Sequence, residues 1–172
     1  MKIAIDIDDV SFEFARGYLN FAHMNGYKKV DFEGVYSYDF AEILGISWDE
    51  AWDIAHKYYD SDFFEKTSLV PGASEGMARL AHYDRYSVTH RPPEWKKKTH
   101  DFMFENFSVS PDKIYFASGV NSNGLQSKEE ICKNLGIELI IDDRGDWGVR
   151  YAEHGINVIM PDKPWNQGYG HK

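Results

Sequence analysis

Ile3-Ala4-Ile5-Asp6-Ile7-Asp8-Asp9 is the stretch on which the fold turns, an apolar run that gives way to acids within a few residues. A short run of this kind reads as a strand buried on both faces of a parallel sheet. The residues just after such a strand lie on the rim where ligands bind. Three more segments repeat the arrangement: Tyr86-Ser87-Val88-Thr89 and Leu139-Ile140-Ile141-Asp142-Asp143 end strands on polar residues, and Lys128 opens a helix that follows a strand.

Working outward, the first strand is expected from about Lys2 to Ile7, and Phe12, Ala15, Leu19 and Ala22 continue at helical spacing. The pattern breaks between Asn25 and Tyr38, and a new stripe begins at Trp48, Ala51, Trp52, Ala55 and Tyr59. The Trp48 and Trp52 stripe reads as core before ligand platform, although a cap of this size must present something above the site. Pro71-Gly72 closes the segment, and Ala73 to His82 reads as a helix with Met77, Leu80 and Ala81 inward. The remainder alternates: strand Tyr86 to Thr89, helix Pro93 to Phe107, strand Lys113 to Phe116, helix Ser127 to Leu135, strand Glu138 to Ile141, helix Asp146 to His154, strand Ile156 to Met160. The tail 161–172 receives no assignment. Alternation of this kind predicts an α/β fold, a Rossmann-like parallel sheet sandwiched by helices. Right-handed crossovers then bring Asp6, Thr89 and Asp142 to one side of it. One domain spans 1–172, with a core of about 1–11 and 70–172 and a small helical cap inserted after strand 1, at about 12–69.

A chain of 172 residues suffices for one full core. Its net charge of −9 argues against a broad surface for polymeric nucleic acid or anionic membrane. A small anionic substrate stays compatible if a metal neutralises the site locally. Cys132 is the only cysteine, so no intrachain disulfide can form, and its spacing with Ile131 and Leu135 makes it a buried thiol rather than a nucleophile. Acids follow the N-terminus so closely that neither a signal peptide nor a membrane span is expected there. The expected setting is cytoplasmic, as a monomer or homodimer.

The rim residues suit phosphoryl chemistry. Phosphate esters resist attack because nucleophile and substrate are both anionic, so a catalyst must neutralise charge and hold the attacking oxygen in line. Asp6 can attack phosphorus and Asp8, two residues on, can protonate the leaving alkoxide and then deprotonate the hydrolytic water. That double role needs a proton on Asp8, which crowding by other carboxylates would favour. Asp6, Asp142 and a backbone carbonyl at Asp8 make a hard oxygen site suited to Mg²⁺. Thr89 and Lys128 can hold phosphate oxygens, and His90 and Arg91 follow in the loop as substrate-contact candidates. Lys133 competes with Lys128 but falls in the half of its helix away from the rim. Asp143 has three open roles: metal binding through water, orientation of Lys128, or an ion pair with Arg144.

An Asp-x-Asp triplet alone is weak, since acidic turns after strands are common. The weight comes from Thr89, Lys128 and Asp142-Asp143 recurring in chain order at equivalent points of the topology. His23, His56, His82, His100, His154 and His171 lack metal-ligand spacing. Lys96-Lys97-Lys98 reads as a solvated helix face.

On Asp6, Asp8, Thr89, Lys128, Asp142 and Asp143 the chain resembles the haloacid dehalogenase superfamily, whose phosphatases carry Asp-x-Asp, then Ser/Thr, then Lys, then paired acids. The resemblance spans nearly the whole chain. It implies Asp6 as nucleophile, Asp8 as acid and base, Thr89 and Lys128 on the phosphoryl group, and Mg²⁺ on Asp6, the Asp8 carbonyl and Asp142. Val70-Pro71-Gly72-Ala73, the stretch 86–92, Ile140 to Arg144 and Pro164-Trp165-Asn166 are similar to the type C 5'(3')-deoxyribonucleotidase group. That implies a nucleoside monophosphate as substrate, with Phe12, Phe14 or Trp52 as unassigned base contacts. The chain departs from the pattern at Asp9, where many relatives have Gly, and at Ser11, in place of an apolar residue.

Three alternatives stand beside this reading. A dehalogenase also uses an aspartate nucleophile, but a halide leaves without a proton and Asp8 goes unexplained. A receiver-type signalling module carries its acids and its phosphorylated Asp in a different order, and the middle strand here ends in Phe116-Ala117-Ser118 without an acid. A degenerate member that binds phosphate without turnover would have no reason to keep every reactive side chain.

Overall fold

The computed structural model describes residues 1–117 and 126–169. Ser118, His171 and the last residues of the tail lie outside that set. Five parallel strands, β1 (Lys2–Ile5), β2 (Asp84–Thr89), β3 (Ile114–Phe116), β4 (Leu139–Ile141) and β5 (Asn157–Ile159), form one sheet in the order β3-β2-β1-β4-β5. The chain runs outward through β2 and β3 on one side of β1 and returns to β4 and β5 on the other. The crevice between β1 and β4 is therefore a topological switch point, where open α/β sheets bind ligands. The expected parallel sheet with helices on both faces is the fold observed.

Among the described residues eight α-helices accompany the strands: α1 (Phe14–Met24), α2 (Phe40–Leu44), α3 (Trp48–Tyr59), α4 (Asp62–Glu65), α5 (Ala73–Arg79), α6 (Lys96–Phe107), α7 (Lys128–Leu135) and α8 (Gly145–Glu153). Alternation along β1 decides which face each residue serves. Ile3 and Ile5 join one cluster with Leu19 of α1, Met77 of α5 and Met103 and Phe107 of α6. Ala4 joins the other with Ile131 and Cys132 of α7 and Trp147 and Tyr151 of α8. Cys132 is fully buried, and burial pushes its thiol up to about 12, so it packs as an inert apolar group.

Four helices, α1 to α4, fill the segment after β1. Ser47 caps α3 by accepting from Glu50 N, and Asp39 caps α2 by accepting from Ala41 N and Glu42 N. α1 has no such cap at Glu13. Its donor at Ala15 N is instead met by both carboxylate oxygens of Asp9, each at 3.1 Å. Where α1 crosses α3, Gly17 lets the chains approach closely, because a Cβ there would meet the Tyr58 hydroxyl at 2.0 Å. Gly17→Ala should therefore destabilise by about 1–3 kcal/mol despite its better helix propensity, read as a lower denaturation midpoint. Unchanged stability would mean that α3 shifts freely against α1.

Several expectations need correction. The strand expected to reach Ile7 ends at Ile5, because the chain turns there: Ser11 N and Phe12 N both donate to Ile7 O. β2 starts at Asp84 rather than Tyr86 because Lys2 aligns with Asp84. α5 stops at Arg79, so Ala81 lies past the helix and is exposed rather than inward. Lys98 is not simply solvated, since its Nζ donates to Tyr59 O at 2.9 Å. Among the described residues no helix is long and apolar enough to cross a membrane.

Candidate active site

β1 and β4 deliver the central acids. Asp6 N donates to Ile141 O at 2.9 Å, which extends the ladder one residue past β1, and Asp142 N donates to Ile159 O at 3.2 Å. The two side chains consequently emerge side by side over the switch point. Lys128, the first residue of α7, reaches between them: its Nζ is 2.6 Å from Asp6 Oδ2 and 2.9 Å from Asp142 Oδ2. A capping box of Ser127 and Glu130 fixes that helix start. Lys128 is 1 % exposed. Burial works against its charge, but Asp142 and Asp6 outweigh it and hold the ammonium above its ordinary value. Lys133 is exposed further along α7.

Asp143 completes a cluster in which oxygen atoms of Asp6, Asp142 and Asp143 lie within 4.8 Å of one another, all three residues buried. Three carboxyl groups opposed by one ammonium would, when ionised together, leave an excess of negative charge out of water. An all-oxygen donor set of this spacing fits a hard divalent cation, Mg²⁺ included. Burial above all, and then the neighbouring acids, raises Asp143 well above the carboxylate range. Asp6 is pushed up to about 7, by burial first, with Lys128 pulling down and Asp142 pushing up. Both groups favour the protonated form in the fold. The contribution of Asp6 to metal-free stability is thus present below pH ~4 and lost as the pH rises through about 7, and Asp143 acts in the same direction. Protein in chelator should show a denaturation midpoint that falls between pH 5 and 8, and Mg²⁺ should flatten the slope. A midpoint indifferent to both would contradict the cluster as a cation site.

Asp143 does not pair with Arg144, as one of its three expected roles had it. Successive side chains diverge: Arg144 binds Asp146 at 2.6 and 2.8 Å, while Asp143 Oδ2 accepts from Trp165 Nε1 at 2.7 Å. Asn166 adds a bond from its side chain to the Asp143 carbonyl at 2.9 Å. Tyr151 hydroxyl donates to Asp142 Oδ2 at 2.9 Å. Tyr151 was findable, since it follows Trp147 by four residues on the inward side of α8. Trp165 carried no local signal beyond the resemblance, because it arrives through the chain after β5.

At the end of β2, Thr89 is buried and its Oγ1 accepts from Arg91 N at 3.2 Å, which shapes the loop that follows. His90 lies against Trp147, and burial followed by the Lys128 charge lowers its imidazole to about 3, so it is neutral. Arg91 is 3 % exposed rather than an open loop residue. Its Nη2 donates to Asp8 Oδ1 at 2.6 Å, and its Nε lies 3.1 and 3.0 Å from the two Asp8 oxygens. The carboxylate crowding expected at Asp8 therefore meets a guanidinium.

Asp9 occupies the left-handed region at φ 57°, which explains why glycine suits this turn; aspartate is among the few other residues that tolerate it. Its carboxylate is buried and pushed up to about 7 by burial, with the Tyr38 hydrogen bond at 2.6 Å opposing. Ser11 is buried too, its hydroxyl donating to Asp6 O at 3.2 Å. Asp9 thus ties the turn to Tyr38 and to the start of α1, while Ser11 closes a contact within the turn itself.

A cavity of about 650 Å³ opens above these groups, with Asp6, Asp8, Thr89, Lys128 and Asp143 in its lining. Phe14, Phe40, Trp48, Trp52, Trp95 and Trp147 also line it. The expectation that Trp48 and Trp52 are core is overturned: they are 66 % and 46 % exposed, while Ala51, Ala55 and Tyr59 of the same stripe are buried. Helical spacing groups side chains on one face. It does not say that part of that face looks into a void. Phe12, proposed with Phe14 and Trp52 as a base contact, packs instead on Phe64 and Phe102 beside Arg91.

This arrangement is that of the haloacid dehalogenase-type fold. A HAD-superfamily hydrolase of subfamily IA from Geobacter sulfurreducens superposes with a TM-score of 0.58 at 16 % identity, over 96 % of this chain and 93 % of that one. A predicted phosphatase from Clostridium acetobutylicum gives 0.65 at 16 % identity, over 98 % and 90 %. A HAD family hydrolase from Deinococcus radiodurans, solved with bound phosphate and sodium, gives 0.53 at 14 % identity, over 91 % and 78 %. No family model matches the sequence, and no curated protein matches it. Similarity to these structures is one of fold.

Proposed function

We propose that this protein is a Mg²⁺-dependent phosphatase that hydrolyses a small phosphomonoester, a nucleoside monophosphate before others, through an aspartyl-phosphate. The observation that carries the reading is Lys128 Nζ held between Asp6 and Asp142 at 2.6 and 2.9 Å, with Asp143 in the same oxygen cluster. It supplies both a nucleophile and fixed positive charge at one point.

Asp6 attacks phosphorus, the phosphorus–ester oxygen bond breaks, and protonated Asp8 gives its proton to the departing alkoxide. Water then attacks phosphorus, its proton passes to Asp8, and the bond to Asp6 breaks, releasing inorganic phosphate. Thr89 and Lys128 hold the phosphoryl oxygens, with His90 beside them. Asp6, Asp142 and the Asp8 carbonyl would hold Mg²⁺, with Asp143 through water, and the cation would offset the clustered acids and the phosphate charge. The structures compared above include a predicted phosphatase and a phosphate-bound hydrolase.

Residues 12–69 act as the cap that selects the leaving group. Eight Phe, Tyr and Trp residues around a cavity of about 650 Å³ support a flat leaving group such as a nucleobase. A reducing, cytoplasmic setting accords with the single buried Cys132. Phosphate release from deoxynucleoside and ribonucleoside monophosphates, sugar phosphates and p-nitrophenyl phosphate, with Mg²⁺ and with chelator, tests all of this. Nucleoside monophosphates should lead the series and chelator should abolish release. Turnover that survives chelation would remove the metal from the scheme, and preference for sugar phosphates would remove the base from it.

A further inference from the structure

Arg91 is a buried cation that the reaction scheme leaves without a necessary task. Its guanidinium lies 5.2, 5.6 and 5.8 Å from the ring centres of Phe12, Phe64 and Phe102, and Nη1 reaches Thr99 Oγ1 at 3.4 Å. Those contacts come from the turn after β1, from α4 and from α6, so the group is fixed from three directions. A guanidinium so enclosed cannot follow a mobile substrate, but it can hold a carboxylate in one place. The carboxylate it holds belongs to Asp8, and unequally. Oδ1 takes two bonds, at 2.6 and 3.1 Å, while Oδ2 takes one, at 3.0 Å.

We propose that Arg91 is the positioning residue for Asp8, its fork holding that carboxylate at the cavity wall where the leaving oxygen and the hydrolytic water must lie. The inference rests on the phosphatase reading and adds to it a residue acting through Asp8 rather than on phosphate. An Asp8 side chain that is only 19 % exposed needs such a hold, because proton transfer depends on the donor lying within hydrogen-bond reach of the reacting oxygen.

A double-mutant cycle on Mg²⁺-loaded protein with a nucleoside monophosphate, whose alkoxide must be protonated to leave, tests it, using Arg91→Met, Asp8→Asn and the pair, with Arg91→Lys carrying the cycle if the methionine variant does not fold. Arg91→Met should lower kcat by about thirtyfold or more, approaching the roughly 10²–10⁴-fold expected for losing the acid–base group itself. KM and the inhibition constant of inorganic phosphate should stay within about twofold. In the Asp8→Asn background the same change should cost less than about threefold, since a residue that works through Asp8 has nothing left to position. An equal cost in both backgrounds, or a tenfold weaker phosphate inhibition, overturns the proposal in favour of a structural or phosphate-binding role. Wild-type protein that releases no phosphate from any substrate overturns the phosphatase reading itself.

Discussion

Asp6→Asn is expected to fold and to lose at least about a thousandfold in turnover, because an amide cannot form the acyl phosphate. Folding should survive for a reason visible in the site. Burial already pushes the Asp6 carboxyl up to about 7, so a neutral side chain of the same shape costs little there. Lys128 keeps Asp142 as a partner at 2.9 Å, and the amide oxygen can still accept from Ile7 N, now 2.8 Å from Asp6 Oδ1. Removing one titrating acid should also shrink the dependence of metal-free stability on pH. Phosphate release and acid-quenched mass spectrometry of the protein read the two outcomes: wild type should carry phosphate on Asp6 and the variant none. A fully active Asp6→Asn protein would remove the nucleophile.

Lys128→Met should be costly twice over. It leaves Asp6 and Asp142, both buried, without their shared cation, and an uncompensated buried charge typically costs about 3–5 kcal/mol. It also takes fixed positive charge away from the phosphoryl group, which should cost activity about a hundredfold or more. Divalent cation should restore part of the stability, since the carboxylates freed by the lysine still face one another. Denaturation midpoints in chelator and in Mg²⁺ separate the two effects. Lys133→Met, on the exposed side of α7, should change neither by much. Equal losses at both lysines would mean that the helix start is not what puts the ammonium between the acids.

Local pattern was enough for the sheet and for the rim. An apolar run that ends in acids states its strand and its polar end together, and parallel topology forces every such end to one side whatever the details of packing. Asp6, Thr89, Lys128 and Asp142 were therefore legible as neighbours from chain order alone. Their partners were less so, and in a graded way. Tyr151 could be found from the period of α8, whereas Trp165 and Arg91 depend on segments that meet only in three dimensions.

The sequence by itself determined the layered α/β fold, the helical segment after the first strand and the convergence of acids, hydroxyl and ammonium, because strand and helix periods are properties of adjacent residues. Tertiary structure alone decided that Trp48 and Trp52 border a cavity, that Asp8 is gripped by Arg91, and that Asp143 is fixed by Trp165 rather than Arg144. Each of these turns on what stands opposite a side chain across a gap, and partners 83 and 22 residues away in the chain leave no mark on local periodicity.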